Sequence, residues 1–330
     1  MSYILSDSRA LVTGATGFIG AHLCSQLVGA GCRVHAASRS EVTGRRNGIA
    51  WHCVDLTDAQ AVRTLVEDVR PDFVFHLASH VMGAPDLAHV LPAFHANLQT
   101  TVNLLTACVA RSPRIVLMGS LVEPDPGTGE RIPSSPYAAA KWAASDYGRM
   151  FQRLYGLPVT IARVFMVYGP AQPDRTKLVP STIAKLRRGE AVKVGNGERL
   201  IDWIYVDDVV SGLLAIARAS NVDGDSVDLG SGSLISTRDF VLQLRSLMQS
   251  DQELVFGAAS DRPHEPVRHA NVERSLGQVG WCPNVELAEG LERTIQWYAE
   301  EARQASAPVV RSSYEDAPRA WLDFRGHPHS

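Results

Sequence analysis

Three side chains in this sequence have the types and the spacing for proton transfer: Ser120, Tyr137 and Lys141. Tyr137 and Lys141 stand four residues apart, which on a helix puts them on one face. A free phenol titrates near ~10, too high for a base at neutral pH. A neighbouring ammonium stabilises the phenolate and brings proton exchange into range. Ser120 closes the apolar run "RIVLMGS" (114–120), and its hydroxyl can hydrogen-bond a reacting oxygen.

A second constellation lies upstream. "TGATGFIG" (13–20) places Gly14, Gly17 and Gly20 after an apolar run and at the start of a helical pattern. Glycines in that context allow a tight turn and let backbone amides approach a pyrophosphate at the positive end of the helix. In a dinucleotide site the end of the next strand decides between cofactors. A carboxylate there bonds the ribose hydroxyls and repels a 2′-phosphate, whereas arginine attracts it and serine donates to it. Here the strand ends in Ser38-Arg39-Ser40, with no acid before Glu41. The residues predict NADP rather than NAD; an ordinary solvated arginine is the alternative. Asp55-Leu56 closes a third strand, where Asp55 either lies at an adenine edge or caps a turn.

These residues need a scaffold, and the pattern predicts one. Apolar strands at 9–13, 33–37, 51–56, 72–78, 114–120 and 158–164 alternate with helical spacings, including one from about 87 to 110 and one from Pro136 to about Tyr155. Continuous apolar strands separated by helices predict a doubly wound parallel sheet covered on both faces, a Rossmann-type α/β fold. After Gly169-Pro170 the chain becomes turn-rich, which predicts a smaller C-terminal lobe. The expected division is a dinucleotide-binding lobe at 1–169 joined by 202–230, a substrate lobe at 170–201 and 231–303, and a tail at 304–330.

Composition narrows the classes. Of 330 residues, 45% are hydrophobic and 20% charged, enough for a sizeable core. A net charge of −3 argues against a nucleic-acid binder. No apolar run reaches the ~20 residues that span a bilayer, and Met1 to Asp7 lacks a secretory pattern. The cysteines Cys24, Cys32, Cys53, Cys108 and Cys282 form no C-x-x-C pair, which predicts reduced thiols in a cytoplasmic protein and no metal site.

Taken together, "VTGATGFIGAHL", "VDLTD", "PDFVFHLA", "ANLQTTVNLL", "PYAAAKWAAS", "RVFMVYGP", "DWIYVDDVV" and "LGQVGWCP" resemble the extended short-chain dehydrogenase/reductases of the nucleotide-sugar epimerase, dehydratase and reductase branch. The resemblance covers roughly residues 9–300. It implies that Gly14, Gly17, Phe18 and Ile19 line the pyrophosphate, and that Leu77, Ala78 and Ser79 flank the cofactor near its ribose. It also implies that Tyr137 and Lys141 bond the sugar oxygen and the nicotinamide ribose. On the substrate side it points to His80, to Lys177 and Leu178 at a nucleotide pocket, and to Arg262 on a diphosphate. Met166 stands where the family often has an asparagine that touches the substrate phosphates. A homodimer built on the helices at 87–110 and 136–156 is implied by the same analogy.

The branch contains several reactions. Its dehydratases carry an Asp-Glu pair directly after the catalytic Ser or Thr; here those positions are Leu121 and Val122, with Glu123 one residue late. Epimerases that retain NAD usually have an acid after the second strand. The expectation is therefore an NADPH-dependent ketoreductase of a nucleotide-diphosphate 4-keto-6-deoxy sugar, with a 4-epimerase as the alternative. A 4,6-dehydratase, a reductase of non-sugar carbonyls and a non-catalytic NADP sensor rank below these.

Overall fold

Short β-rich and apolar segments pair into a seven-stranded parallel sheet in the computed structural model, which describes residues 5–42, 48–124, 132–258 and 266–306. The first half runs β1 (Arg9–Thr13), α1 (Phe18–Gly29), β2 (Arg33–Ser38), β3 (Ile49–Cys53) and α2 (Ala59–Val69). Then comes β4 (Phe73–His76). A mixed helical segment follows: a 3-10 turn at Leu87–His89, α3 (Val90–Ala93), a π-helical stretch at Phe94–Gln99 and α4 (Thr100–Cys108). β5 (Arg114–Ser120), α5 (Pro136–Tyr155) and β6 (Val159–Val164) complete the alternation. A later strand, β10 (Ser226–Leu229), adds to β6, giving the order β10-β6-β5-β4-β1-β2-β3.

That order reverses direction between β1 and β4, so the turns leaving these two strands open a crevice at the carboxyl edge of the sheet. Alternate strand residues face opposite layers. Val12, Phe75 and Val116 pack under α1 with Leu23 and Leu27, whereas Leu11, Val74 and Ile115 pack under α2 and α4 with Val66 and Leu104. Each of these side chains is buried, and burial of a Val, Leu or Phe stabilises by about 1.5–3 kcal/mol.

Local chemistry sets the helix ends. Asp58 caps α2, its carboxylate accepting from the amides of Gln60 at 2.8 Å and Ala61 at 3.1 Å. Ser135 caps α5 through the Ala138 amide, Pro136 takes the first turn, and Gly156 ends the helix at φ 66°. The helical pattern at 87–110 is not one α-helix: the π-helical stretch interrupts it, and the Thr100 and Thr101 hydroxyls donate to the carbonyls of Ala96 and Asn97.

The rest of the chain includes β7 (Met166–Tyr168), α6 (Leu178–Arg187), β8 (Val192–Lys193), β9 (Leu200–Tyr205) and α7 (Val206–Arg218). Beyond β10 come β11 (Leu234–Ser236), α8 (Thr237–Leu247), β12 (Leu254–Val255), α9 (Val272–Val279) and α10 (Leu287–Ser306). β11, β9 and β7 form a small sheet, and a third apolar cluster gathers around it. Trp203 stacks on Phe240 with ring centroids 3.9 Å apart, and the Tyr168 ring meets both edge-on. α7 packs back on α1, so this part of the chain is tied to the large sheet.

Candidate active site

The turn after β1 is built for close approach. Gly14 has φ +68°, and a Cβ there would lie 2.7 Å from the Ala78 nitrogen and from the Leu77 carbonyl carbon. The Gly17 amide donates to the Gly14 carbonyl at 2.9 Å, and Gly17 begins α1 with no side-chain cap. The amide-bearing end of α1, at Phe18 and Ile19, thus has no side-chain cap and could accept an anion. Leu77 and Ala78 cross directly over this turn. The Leu77 amide donates to the Thr13 carbonyl and the Ala78 amide to the Thr13 hydroxyl, both at 3.2 Å.

The loop after β4 is held by a residue the sequence patterns did not single out. Asn97, buried in the π-helical stretch, accepts from the His80 amide at 2.7 Å and the Ser79 hydroxyl at 3.0 Å, and donates to the His80 carbonyl at 3.2 Å. π-Helical turns of this kind recur at functional sites. Burial, with the positive neighbours His89 and Arg39, pushes the His80 imidazole below its ordinary value.

Ser38 is the last residue of β2, and Arg39 is exposed at the rim. The charge of Arg39 makes a small contribution to lowering the pKa of both Asp55 and His80. Asp55 does not close a strand as anticipated. β3 ends at Cys53, and Asp55 forms a turn, accepting from the Thr57 amide at 2.9 Å and the Thr57 hydroxyl at 2.8 Å. Those two bonds, with a smaller contribution from Arg39, hold its carboxyl below the usual range. Strand pairing stops here because Asp satisfies the turn better than the ladder. Leu56 beside it is buried in the core.

Ser120 ends β5 at the carboxyl edge, and Tyr137 and Lys141 lie on α5, which packs against β5. Tyr137 is half-buried, whereas Lys141 is buried and donates from Nζ to the Met118 carbonyl at 3.0 Å. Burial pulls the Lys141 ammonium down to about 8, against an opposing pull from the Glu123 carboxylate. Glu123 is itself buried, and its Oε1 accepts from the Ser120 amide at 2.7 Å. Desolvation pushes its carboxyl up; the Ser145 hydroxyl, the Ser120 amide, Lys141 and Arg163 counter this. Leu121 is buried and Val122 half-buried, packed in the apolar core rather than offered as acids or bases. Arg268 donates to the carbonyls of Leu121, at 3.1 Å, and of Glu123. Neither Glu123 nor Arg268 gave a motif by which their roles in this turn could be read.

On the other side of the crevice, Met166 begins β7 opposite Trp203. Lys177 is the residue before α6, with its Nζ 3.7 Å from the Asp174 carboxylate, and Leu178 is the first residue of that helix. Arg262 lies outside the described residues. Among those described, no group of three or more His, Cys, Asp or Glu side chains could hold a metal, and all five cysteines are free thiols. No helix among the described residues is long and apolar enough to cross a membrane.

The crevice at the β1/β4 switch point, with a glycine turn on one side and the Ser120, Tyr137 and Lys141 positions on the other, matches a known sequence family. A model of the NAD dependent epimerase/dehydratase family aligns with residues 10–230. The chain belongs to that family. It is an enzyme of the extended short-chain dehydrogenase/reductase type. A probable dTDP-glucose 4,6-dehydratase of Sinorhizobium fredii is 30% identical, over 88% of this chain and 93% of the relative. Among solved structures, a UDP-glucose 4-epimerase from Thermotoga maritima with UDP-glucose superposes with a TM-score of 0.81 at 26% identity, covering 89% of this chain and 99% of the other. The Thermus thermophilus UDP-glucose 4-epimerase, solved with NAD, gives 0.77 at 27% identity, covering 88% and 99%.

Proposed function

We propose that this enzyme is a nucleotide-sugar 4-epimerase using a retained nicotinamide cofactor. The observation that carries the reading over dehydration is the orientation of Glu123, and the solved epimerases carry it over reduction. Elimination of water from a sugar needs a second acid/base pair next to the proton-transfer set, and the two positions after Ser120 are Leu121 and Val122. Glu123, the nearest carboxylate, turns inward onto the Ser120 amide. What is left is one reversible proton-transfer set, sufficient for removing and returning a hydride at one carbon. The similarity to two solved UDP-glucose 4-epimerases supports the same reading and moves the preference away from the ketoreductase anticipated from sequence.

A bound dinucleotide fits the residues present, because the start of α1 has no side-chain cap to compete for its free amides. Gly14, Gly17, Phe18 and Ile19 would hold its pyrophosphate, and Ser38, Arg39 and Asp55 its adenosine end. Leu77, Ala78 and Ser79 would lie along it, with Lys141 on the nicotinamide ribose. When bound, the nicotinamide supplies the hydride acceptor and donor. Tyr137 takes the proton from the sugar hydroxyl as it becomes a carbonyl and returns it afterwards. Lys141 holds the phenolate, and Ser120 donates to the sugar oxygen. His80, Met166, Lys177, Leu178 and Arg262 are assigned to the nucleotide-diphosphate sugar. Tight retention of cofactor and interconversion of two sugars with no net change in reduced nicotinamide would support the assignment; stoichiometric oxidation of NADPH by a keto sugar would replace it with the reductase.

That second reading keeps one specific support, Ser38-Arg39 at the end of β2 where a carboxylate would favour NAD. A homodimer is part of the proposal as well. Leu87 is 84% exposed and Leu91 65%, beside an apolar cavity of ≈ 510 Å³ lined by Phe94, Leu98 and Ala143 among others, and a second copy would cover that face. Its mass in solution, by light scattering, tests this.

A further inference from the structure

Glu123 is a buried carboxylate with no place in the reaction as drawn, yet it sits at the centre of the site. It is 3% exposed and Lys141 is 5% exposed. The two side chains approach the end of β5 around Gly119: Lys141 Nζ donates to the carbonyl of Met118, and Glu123 Oε1 accepts from the amide of Ser120. Gly119 makes room for this, since a Cβ there would lie 2.8 Å from Glu123 Oε1 and 2.7 Å from the Ile161 side chain. A carboxyl group and an amine are thus buried around one glycine, each bonded to backbone on its side of Gly119. A buried ammonium without a compensating charge tends to lose its proton.

We propose that Glu123 is a positioning residue for the proton-transfer set: its carboxylate fixes the Ser120 turn and is the counter-charge that keeps Lys141 an ammonium. This rests on the reading in which Tyr137 and Lys141 move the proton. The groups facing the pair are few. On β4, His76 is buried and neutral, its imidazole depressed to about 3. On β6, Arg163 faces Glu123 but is paired with Asp228 at 3.3 Å. On α5, Ser145 lies beside the Glu123 carboxyl and Tyr137 one turn before Lys141. Arg268 holds the turn through its backbone carbonyls. Glu123 is therefore the negative charge acting on Lys141 from this shell. Without it, the proton shared between Lys141 and Tyr137 moves towards the phenol, and the tyrosine ceases to be a base.

Glu123→Gln keeps an oxygen for the Ser120 amide and removes the charge. The test measures turnover with UDP-glucose across pH, and the phenolate absorbance of Tyr137 as the difference between each protein and its Tyr137→Phe counterpart, which needs no turnover. The expected result is that the limb marking loss of the Lys141 proton moves to lower pH by about one unit or more, with KM changed less than about twofold. The phenolate signal near pH 8 falls in parallel. Glu123→Asp, which keeps the charge but draws it back from Ser120, should lower kcat at every pH while leaving the limb within about half a unit of wild type. An unshifted limb and phenolate titration in the Gln variant would overturn the proposal. If that variant does not fold, a limb displaced by a unit or more in the Asp variant would overturn it instead. Full activity of Tyr137→Phe would sink the proton-transfer reading itself, and the phenolate titrations would still judge Glu123.

Discussion

The Thr13 hydroxyl donates to His76 Nδ1 at 2.8 Å in the fully buried layer between β1 and β4. The surrounding bonds fix the tautomer. Thr13 Oγ1 already accepts from the Ala78 amide, so its proton goes to His76. Thr101 Oγ1 spends its proton on the Asn97 carbonyl at 2.6 Å, so it accepts from His76 Nε2–H at 3.1 Å. His76 is neutral with both nitrogens satisfied. Its chain of bonds runs from the glycine turn to the π-helical stretch that holds Ser79 and His80.

This arrangement has a pH consequence. The His76 imidazole is lowered from 6.5 to about 3, chiefly by burial and then by Lys141. In the unfolded chain it gains a proton near 6.5, so its contribution to stability is complete above that pH. The contribution is lost as pH falls towards 3, at about 1.4 kcal/mol per pH unit in that window. Replacing His76 with Gln should flatten the fall while lowering stability at pH 8 by about 1–3 kcal/mol through imperfect hydrogen bonding. Urea titrations at several pH values on both proteins check this; parallel curves would exclude His76 as the source of acid lability.

Tyr137→Phe should reduce turnover by about 10²–10⁴-fold with cofactor binding nearly unchanged, because only the transferable proton is lost. Lys141→Ala should lower both, and Ser120→Ala chiefly turnover. Fluorescence titration of bound nicotinamide alongside rate measurements separates the three.

Arg39→Asp should weaken NADP(H) much more than NAD(H), because attraction to a 2′-phosphate becomes repulsion. An equal loss for both would show that Arg39 does not read the phosphate and would strengthen the case for NAD.

Asp202 is 1% exposed, and its carboxylate accepts four hydrogen bonds: from the amide and hydroxyl of Ser231 at 2.6 and 2.7 Å, from Gly232 at 3.0 Å and from Ala270 at 2.8 Å. Asp202→Ala would leave the buried Ala270 amide and the half-buried Ser231 and Gly232 amides without their acceptor, at a cost of about 2–4 kcal/mol. Denaturant midpoints should fall accordingly; a change below ~1 kcal/mol would mean that water replaces the carboxylate.

The strands and helices were legible because continuous apolar runs, helical spacing and the helix-opening Pro136 act over a few residues. The glycine turn and the Tyr137–Lys141 spacing were legible for the same reason. The end of β3 was misjudged because Asp55 is equally suited to a strand terminus and to a turn, and the choice is made by the Thr57 hydroxyl. The interruption of the 87–110 helix and the grip of Asn97 on Ser79 and His80 depend on packing against α5 and on the loop after β4, which lie far off in sequence. The inward turn of Glu123 depends on a space at Gly119 and Ile161 that no local pattern encodes. Discrimination among reactions was least legible, since the same proton-transfer set suits reduction and epimerisation.

Arg268 reaches back 147 residues to the Leu121 carbonyl, and Ala270 reaches back 68 to Asp202. During synthesis the ribosome will have delivered Ser120, Tyr137 and Lys141 long before either tie exists. A nascent chain ending near residue 230 holds every strand of the large sheet, yet its Ser120 turn still lacks the Arg268 clasp. The segment carrying Arg268 and Ala270 therefore fastens the Ser120 turn and Asp202 only after every strand of the large sheet has been made.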